Sequence, residues 1–306
     1  MATKMRTALF HRRNPGGVWT IDDLAEHPGD IFFVDSTKTG ASDTAGFGLS
    51  PDAPFATLDY AVSQCTDSQG DVIYCMPGHA EVVTEAGGLD LDVIGITVRG
   101  LGHGTLQPTI TFTTADTADM DVDAASITVE NMHFVAGFLN IAVAIDVNCT
   151  DFTLRNCRFT ENDTNENALI WIEDALLVAS NGLIIEDCYA VALDADNTHF
   201  VNFVGTGANY LIRNNILIGD WGTVAVGGAG IVTNCTILDN RIYNISATAE
   251  AIIHLADTAT GIVMGNMAGG TAAQAQGIGA TACALAENYY GDLGGDVSAL
   301  LEPVVT

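Results

Sequence analysis

Four stretches decide the fold: ITVENMHF (127–134), FTLRNCRF (152–159), LIIEDCYA (183–190) and YLIRNNIL (210–217). Three weaker copies follow, TILDNRI (236–242), IVMGNM (262–267) and ALAENYY (284–290), and ITVRGLG (96–102) precedes them. Each is a short alternating apolar run, one outer residue, an Asn or Asp, then a second short run. The amide column reads Asn131, Asn156, Asp187, Asn214, Asn240, Asn266 and Asn288, with gaps of 25, 31, 27, 26, 26 and 22 residues. Self-similarity at such a period marks stacked repeats. Val, Ile, Leu, Phe and Thr alternating with polar residues at period two make the unit strand-forming. A coil this short cannot bury its apolar face alone, so a core forms only when coils stack at ~4.8 Å. The expected fold class is all-β: a single-stranded right-handed parallel β-helix with an N-terminal capping α-helix.

The amide column has a physical role in such a fold. Asn tolerates a left-handed backbone at a tight bend. Stacked inside the bend, each amide bonds those above and below, and an orphaned one costs roughly 1–3 kcal/mol. A structural ladder is therefore expected at these seven residues, in line and buried. The residues just before them run Arg99, Glu130, Arg155, Glu186, Arg213, Asp239, Gly265 and Glu287. The charge alternates from Arg99 to Asp239, so coils in register would place opposite charges one strand apart.

The chain carries 38 acids against 10 bases, a net charge of −28 over 306 residues. Such a surface repels nucleic acid, so none is expected as a partner. It keeps a particle soluble and self-repelling and suits a saline setting. No apolar run approaches the ~18 residues of a membrane span, and the first residues lack the apolar core of a secretory signal, so no membrane partner is expected. The bases are uneven: Lys4, Arg6, Arg12 and Arg13 precede the first acid, Asp22. This basic arm reads as an anchor for an acidic surface. The seven Cys show no metal-type spacing and read as small apolar filler, with Cys157 and Cys188 stacked on adjacent coils. The His residues are scattered without ligand spacing, so neither a metal nor another cofactor is expected.

Along the chain, 1–34 reads as the basic arm and a lead-in segment, 35–290 as the β-helix, and 291–306 as a C-terminal tail or cap. Residues 31–36 read as a first strand. Phe55, Leu58, Val62 and Cys65 share one helical face, which places the capping helix at about 54–66. Such a helix would cover the open end of the coil stack, where backbone and core are otherwise exposed.

The opening, DSTKTGASDTAGFGLSPDAPFATLDYAVSQCTDSQGDVIYCMPGHAE (35–81), resembles that of many β-helix proteins of tailed bacteriophages. It has a strand ending in Asp, a Gly-rich loop, an S-P-x-x-P-F-A-T helix (Ser50 to Thr57), a G-D-x-I strand (Gly70 to Ile73) and a P-G-H-x-E turn (Pro77 to Glu81). The coils resemble the pectate-lyase-like architecture only. The resemblance implies a non-enzymatic virion structural protein, a capsid decoration or fibre-like component. It would be a homotrimer, partnered by other capsid or tail proteins and assembled in the host cytoplasm. No catalytic residue is assigned on this reading.

The alternative is a tailspike-like glycoside hydrolase or lyase acting on polysaccharide. Hydrolysis needs two carboxylates about 5–9.5 Å apart. The candidates are Glu173, Asp174, Asp194, Asp196 and Asp220, with Trp171 or Trp221 as a sugar platform. The lyase pattern needs a base beside bound calcium. The body offers only Lys38, Arg158 and Arg241 outside the charge column, which departs from it. A glycan-binding module without catalysis is a third reading, against which stands the 7% aromatic content with no outward row.

Overall fold

The computed structural model describes residues 10–12, 19–21, 29–163, 165–174, 180–246, 252–270, 277–292 and 298–301. Its body is a right-handed parallel β-helix. Three sheets of ten, ten and eight strands run its length. Each coil adds one strand to each sheet. The coil around Asn131 supplies Thr128–Glu130 to the first sheet, His133–Ala136 to the second and Ile141–Val147 to the third. The first sheet starts at Ile31–Val34, which pairs with Val72–Cys75. At the other end Ser298–Leu301 pairs antiparallel with Asn288–Asp292. Phe10–Arg12 and Trp19–Ile21 form a separate antiparallel pair.

Alternation sets the core. In the second sheet Ile110, Phe134 and Phe159 occupy one inward column, and Phe112 from the neighbouring inward column stacks on Phe134, with ring centroids 6.2 Å (Phe112–Phe134) and 5.3 Å (Phe134–Phe159) apart. Trp171 and Phe200 from the third sheet pack against Phe159 at 5.4 Å and 5.1 Å. These rings are fully buried. Each contributes roughly 1.5–3 kcal/mol relative to exposure, which no isolated coil would gain.

The bend between the first and second sheets divides the expected single ladder into two columns. One holds the left-handed residues Asn131, Asn156, Asp187, Asn214, Asp239, Gly265 and Glu287, with φ between 52° and 68°. Its members from Asn156 to Glu287 are mostly exposed. The other, one residue later, is the buried amide ladder Asn215, Asn240, Asn266 and Asn288, all at 0% exposure. The Oδ1 atoms of Asn240, Asn266 and Asn288 each accept from the backbone N–H and side-chain amide of the Asn one coil earlier, at 2.9–3.1 Å, and Asn215 Oδ1 accepts from the Cys188 N–H at 2.9 Å. Each Nδ2 also donates to an inner carbonyl, as Asn240 does to Ile212 at 2.9 Å. Asn131, Asn156, Asp187 and Asn214 are therefore bend residues, while Asn240, Asn266 and Asn288 belong to the buried ladder. Met132, Cys157 and Cys188 hold the inner place in the earlier coils.

The same slip corrects the charge column. Arg99, Glu130, Arg155, Glu186 and Arg213 do face one another across the first sheet. Glu130 pairs with Arg99 and, at 2.7 Å, with Arg155, and Glu186 pairs with Arg213 at 2.6 Å. The next members are Leu238, Met264 and Ala286, not Asp239, Gly265 and Glu287.

The capping helix spans Leu58–Ser63, shorter than 54–66, and buries Leu58, Ala61 and Val62. Pro54 and Phe55 stay extended because Phe55 bonds both ways to the first strand: its N–H donates to Phe33 and its carbonyl accepts from Asp35. Thr57 is the N-cap, accepting from the Tyr60 N–H at 3.3 Å. Asp43 holds Thr57 in place through Ala56 N, Thr57 N and the Thr57 hydroxyl. Glu81 accepts from the Leu58 N–H at 2.8 Å and from His79 Nε2 at 3.1 Å. His79 Nδ1 accepts from the Ser36 N–H at 3.0 Å. The P-G-H-x-E turn thus bolts the helix to the first coil.

Candidate functional site

The face that gathers ionisable groups is the outer side of the third sheet. Leu89–Leu91, Met120–Val122, Ile141–Val147 and Ala168–Asp174 alternate, sending Leu91, Val122, Val147 and Asp174 inward. The residue before each points out. Register places Asp90, Asp121, Asp146 and Glu173 in one column, continued by Asn202. Neighbouring strands lie ~4.8 Å apart, so like charges stand directly opposite, which destabilises a sheet.

The column titrates accordingly. Burial, then Asp119, Asp146, Asp123 and Asp90, pushes Asp121 up to about 6. Burial also raises Asp146, partly offset by a hydrogen bond from Asn148. Burial raises Glu173, offset by Asn202, whose Nδ2 donates to Glu173 Oε2 at 2.6 Å. Carboxyls raised by burial and by one another on adjacent coils are the kind of group that can serve as a general acid.

Further along this face His199, Asn202, His254 and Asp257 line an open cavity of about 870 Å³ with glycine and threonine neighbours. Burial lowers His199 to about 4, so its ring is neutral near pH 7, with Nδ1 3.0 Å from the Thr198 hydroxyl. Among the described residues, no group of three or more His, Cys, Asp or Glu is placed to hold a metal ion.

The residues weighed for polysaccharide chemistry scatter. Glu173 lies on this face. Asp174 is 1% exposed and points inward, accepting from Val204 N, Gly205 N and, at 2.8 Å, the Tyr210 hydroxyl, so it braces a turn. Asp194 accepts from Asp196 N in a loop beside Arg158 and Glu161. Asp220 is half-buried where the chain leaves the second sheet. Trp171 and Trp221 are wholly buried and offer no sugar platform: the third sheet turns Trp171, and the connection after Ile216–Gly219 turns Trp221, into the aromatic core. Lys38 is held by the Pro51 carbonyl at 2.7 Å and by Asp52. Arg12 lies in the Phe10–Arg12 strand, whereas Lys4, Arg6 and Arg13 lie outside the described residues.

Asp90, Asp121 and Asp146 were not among the sequence candidates, yet a signal existed. L-D-L, M-D-V, I-D-V and I-E-D recur with their acids 31, 25 and 27 residues apart, the period of the coils themselves. A second left-handed column was also overlooked. Gly95, Ser126, Asp151, Gly182, Asn209 and Asn234 sit ahead of the first-sheet strands with φ between 55° and 78°.

No protein-family model and no curated protein matches the sequence. Among solved structures, a rhamnogalacturonan lyase is similar at 11% identity and a TM-score of 0.45, over 79% of this chain and 81% of that one.

Proposed function

We propose that this chain is a non-enzymatic structural protein of a tailed-bacteriophage virion, a capsid decoration or fibre-like component. It stands on other virion proteins through the basic arm Lys4, Arg6, Arg12 and Arg13 and self-associates as a homotrimer. One observation carries this reading. In the opening that resembles those of phage β-helix proteins, Asp43, Thr57, His79 and Glu81 lock the capping helix onto the first coil, which supports a structural use of that motif. A continuous stack of paired coils behind that lock gives a stiff body suited to projecting from a particle. The test is to add purified protein, with and without residues 1–13, to particles stripped of it. The full chain should rebind and the truncated chain should stay folded but unbound. Rebinding of the truncated chain would remove the anchor from the proposal.

A second reading, a polysaccharide hydrolase or lyase, is favoured by the carboxyls Asp146 and Glu173, which face each other on adjacent coils and are both raised by burial. Acidic and neutral bacterial or algal polysaccharides incubated with the protein separate the two. Chain cleavage that disappears in Glu173→Gln would replace the structural reading with the enzymatic one.

A further inference from the structure

The second sheet presents a long outer face without acids. Its first outward column runs His133, Arg158, Tyr189, Ile216, Arg241 and Met267. Its second runs Thr111, Val135, Thr160, Val191, Ile218 and Tyr243. No carboxylate occurs in either, in a chain with 38 acids. The third sheet, by contrast, stacks four acids in succession. Met267 is 54% exposed, Tyr189 39% and Ile216 38%. His133 is neutral near pH 7, since burial and then Arg158 lower it to about 4. The face is therefore a flat band of apolar, aromatic and β-branched side chains carrying two arginines.

Those arginines line open cavities with acids of their own chain, Asp194 beside Arg158 and Asp239 beside Arg241, without pairing with them. Neither Arg158 nor Arg241 forms an ion pair with a described residue, unlike Arg99, Arg155 and Arg213 in the first sheet. The rim of the same face does carry acids. The exposed left-handed column at the bend displays Asp187, Asp239 and Glu287 immediately before Cys188, Asn240 and Asn288. On the opposite rim Glu161 is spent on Leu193 N, Asp194 N and Asn197.

We infer that this face is where copies of the chain pack side by side. A body of net charge −28 repels its own copies everywhere except where acids are missing. An apolar centre with a charged rim is the anatomy of a protein interface. The complement of the stranded arginines is the acidic rim of an identical neighbour, so a second copy supplies what each lacks. Arg241 of one copy reaches Asp239 of the next when coils lie level, as rotation about an axis parallel to the β-helix keeps them. A face exposing Ile216 and Met267 without a partner would be an association liability for a soluble rod. This inference names the surface for the self-association put forward above and rests on that part of the reading alone. The third sheet stays open under it.

Light scattering of the full chain at micromolar concentration reads the result. The wild type should have the mass of more than one copy, and Ile216→Glu with Ile218→Glu should have the mass of one. Circular dichroism of both should match, because these side chains point away from the core. Arg241→Asp should weaken association at least tenfold, and adding Asp239→Arg should restore it. A monomeric wild type would overturn both the self-association and its surface. An oligomer indifferent to Ile216→Glu, or a charge swap that restores nothing, would overturn the surface and leave self-association standing.

Discussion

At Asn240 one side chain serves two coils. Its Oδ1 accepts from Asn215 N and Nδ2, and its Nδ2 donates to Ile212 O and Asn266 Oδ1. Asn240→Leu fits the space but orphans several buried groups, each worth roughly 1–3 kcal/mol, so a loss of about 3 kcal/mol or more is expected. Asn214 is exposed with φ 55°, and Asn214→Gly should change stability by less than ~0.5 kcal/mol. Urea unfolding of both variants measures the contrast, and equal losses would mean the two columns are one. This is also where the sequence was ambiguous. A left-handed bend and a buried amide ladder both select Asn for unrelated reasons. The adjacent pair Asn214–Asn215 marks where one column takes over from the other, and a single periodic letter does not show that. The ion pairs of Arg155 and Arg213 were legible because charge alternates at the coil period, independently of the Asn assignment.

At the scale of elements, the cap and the acidic column differ in how they are encoded. The cap is local. Thr57, Asp43, His79 and Glu81 fall within one stretch of chain, so its motif could be read directly. Glu81→Ala removes the acceptor for both the Leu58 N–H and His79 Nε2. It should cost about 1–3 kcal/mol. Hydrogen exchange should quicken at Ala61 and Val62 and not at Asn266; uniform quickening would deny the cap a separate role. The acidic column exists only once strands are in register, which is why Asp90, Asp121 and Asp146 were missed. Its pH dependence has a definite sign. The folded pKa of Asp121 is raised to about 6 from an ordinary 3.8, so the unfolded chain gives up this proton more readily. Ionisation then favours unfolding: the penalty is complete above about 6 and absent below the ordinary value. Asp146 and Glu173 shift in the same direction. Over the same range His133 and His199, both lowered to about 4, act in the opposite sense, so the column is read by difference: Asp121→Asn should raise the melting temperature at pH 7, and that gain should shrink at pH 5. A lower melting temperature for Asp121→Asn at pH 7 would mean that the column is held by something the repulsion does not describe.

For the whole molecule the deciding quantity is the net charge of −28. Two electrostatic contributions oppose each other as salt is added. The first-sheet pairs among Arg99, Glu130, Arg155, Glu186 and Arg213 weaken, but such partly exposed pairs contribute only about 0–1 kcal/mol each. The excess acids repel one another over the entire surface, including the four stacked on the third sheet. Screening shortens the reach of that repulsion from about 10 Å at 0.1 M salt to about 3 Å at 1 M. Unfolding spreads the acids apart, so repulsion penalises the folded state more, and removing it favours folding. The melting temperature should therefore climb between 0.05 M and 1 M sodium chloride. Calorimetry at fixed pH reads this directly. Repeating it with Glu130→Gln apportions the two contributions. If the wild type melts lower in salt and the variant does not, the ion-pair column outweighs the surface repulsion. The acidic surface would then be no source of salt-dependent stability.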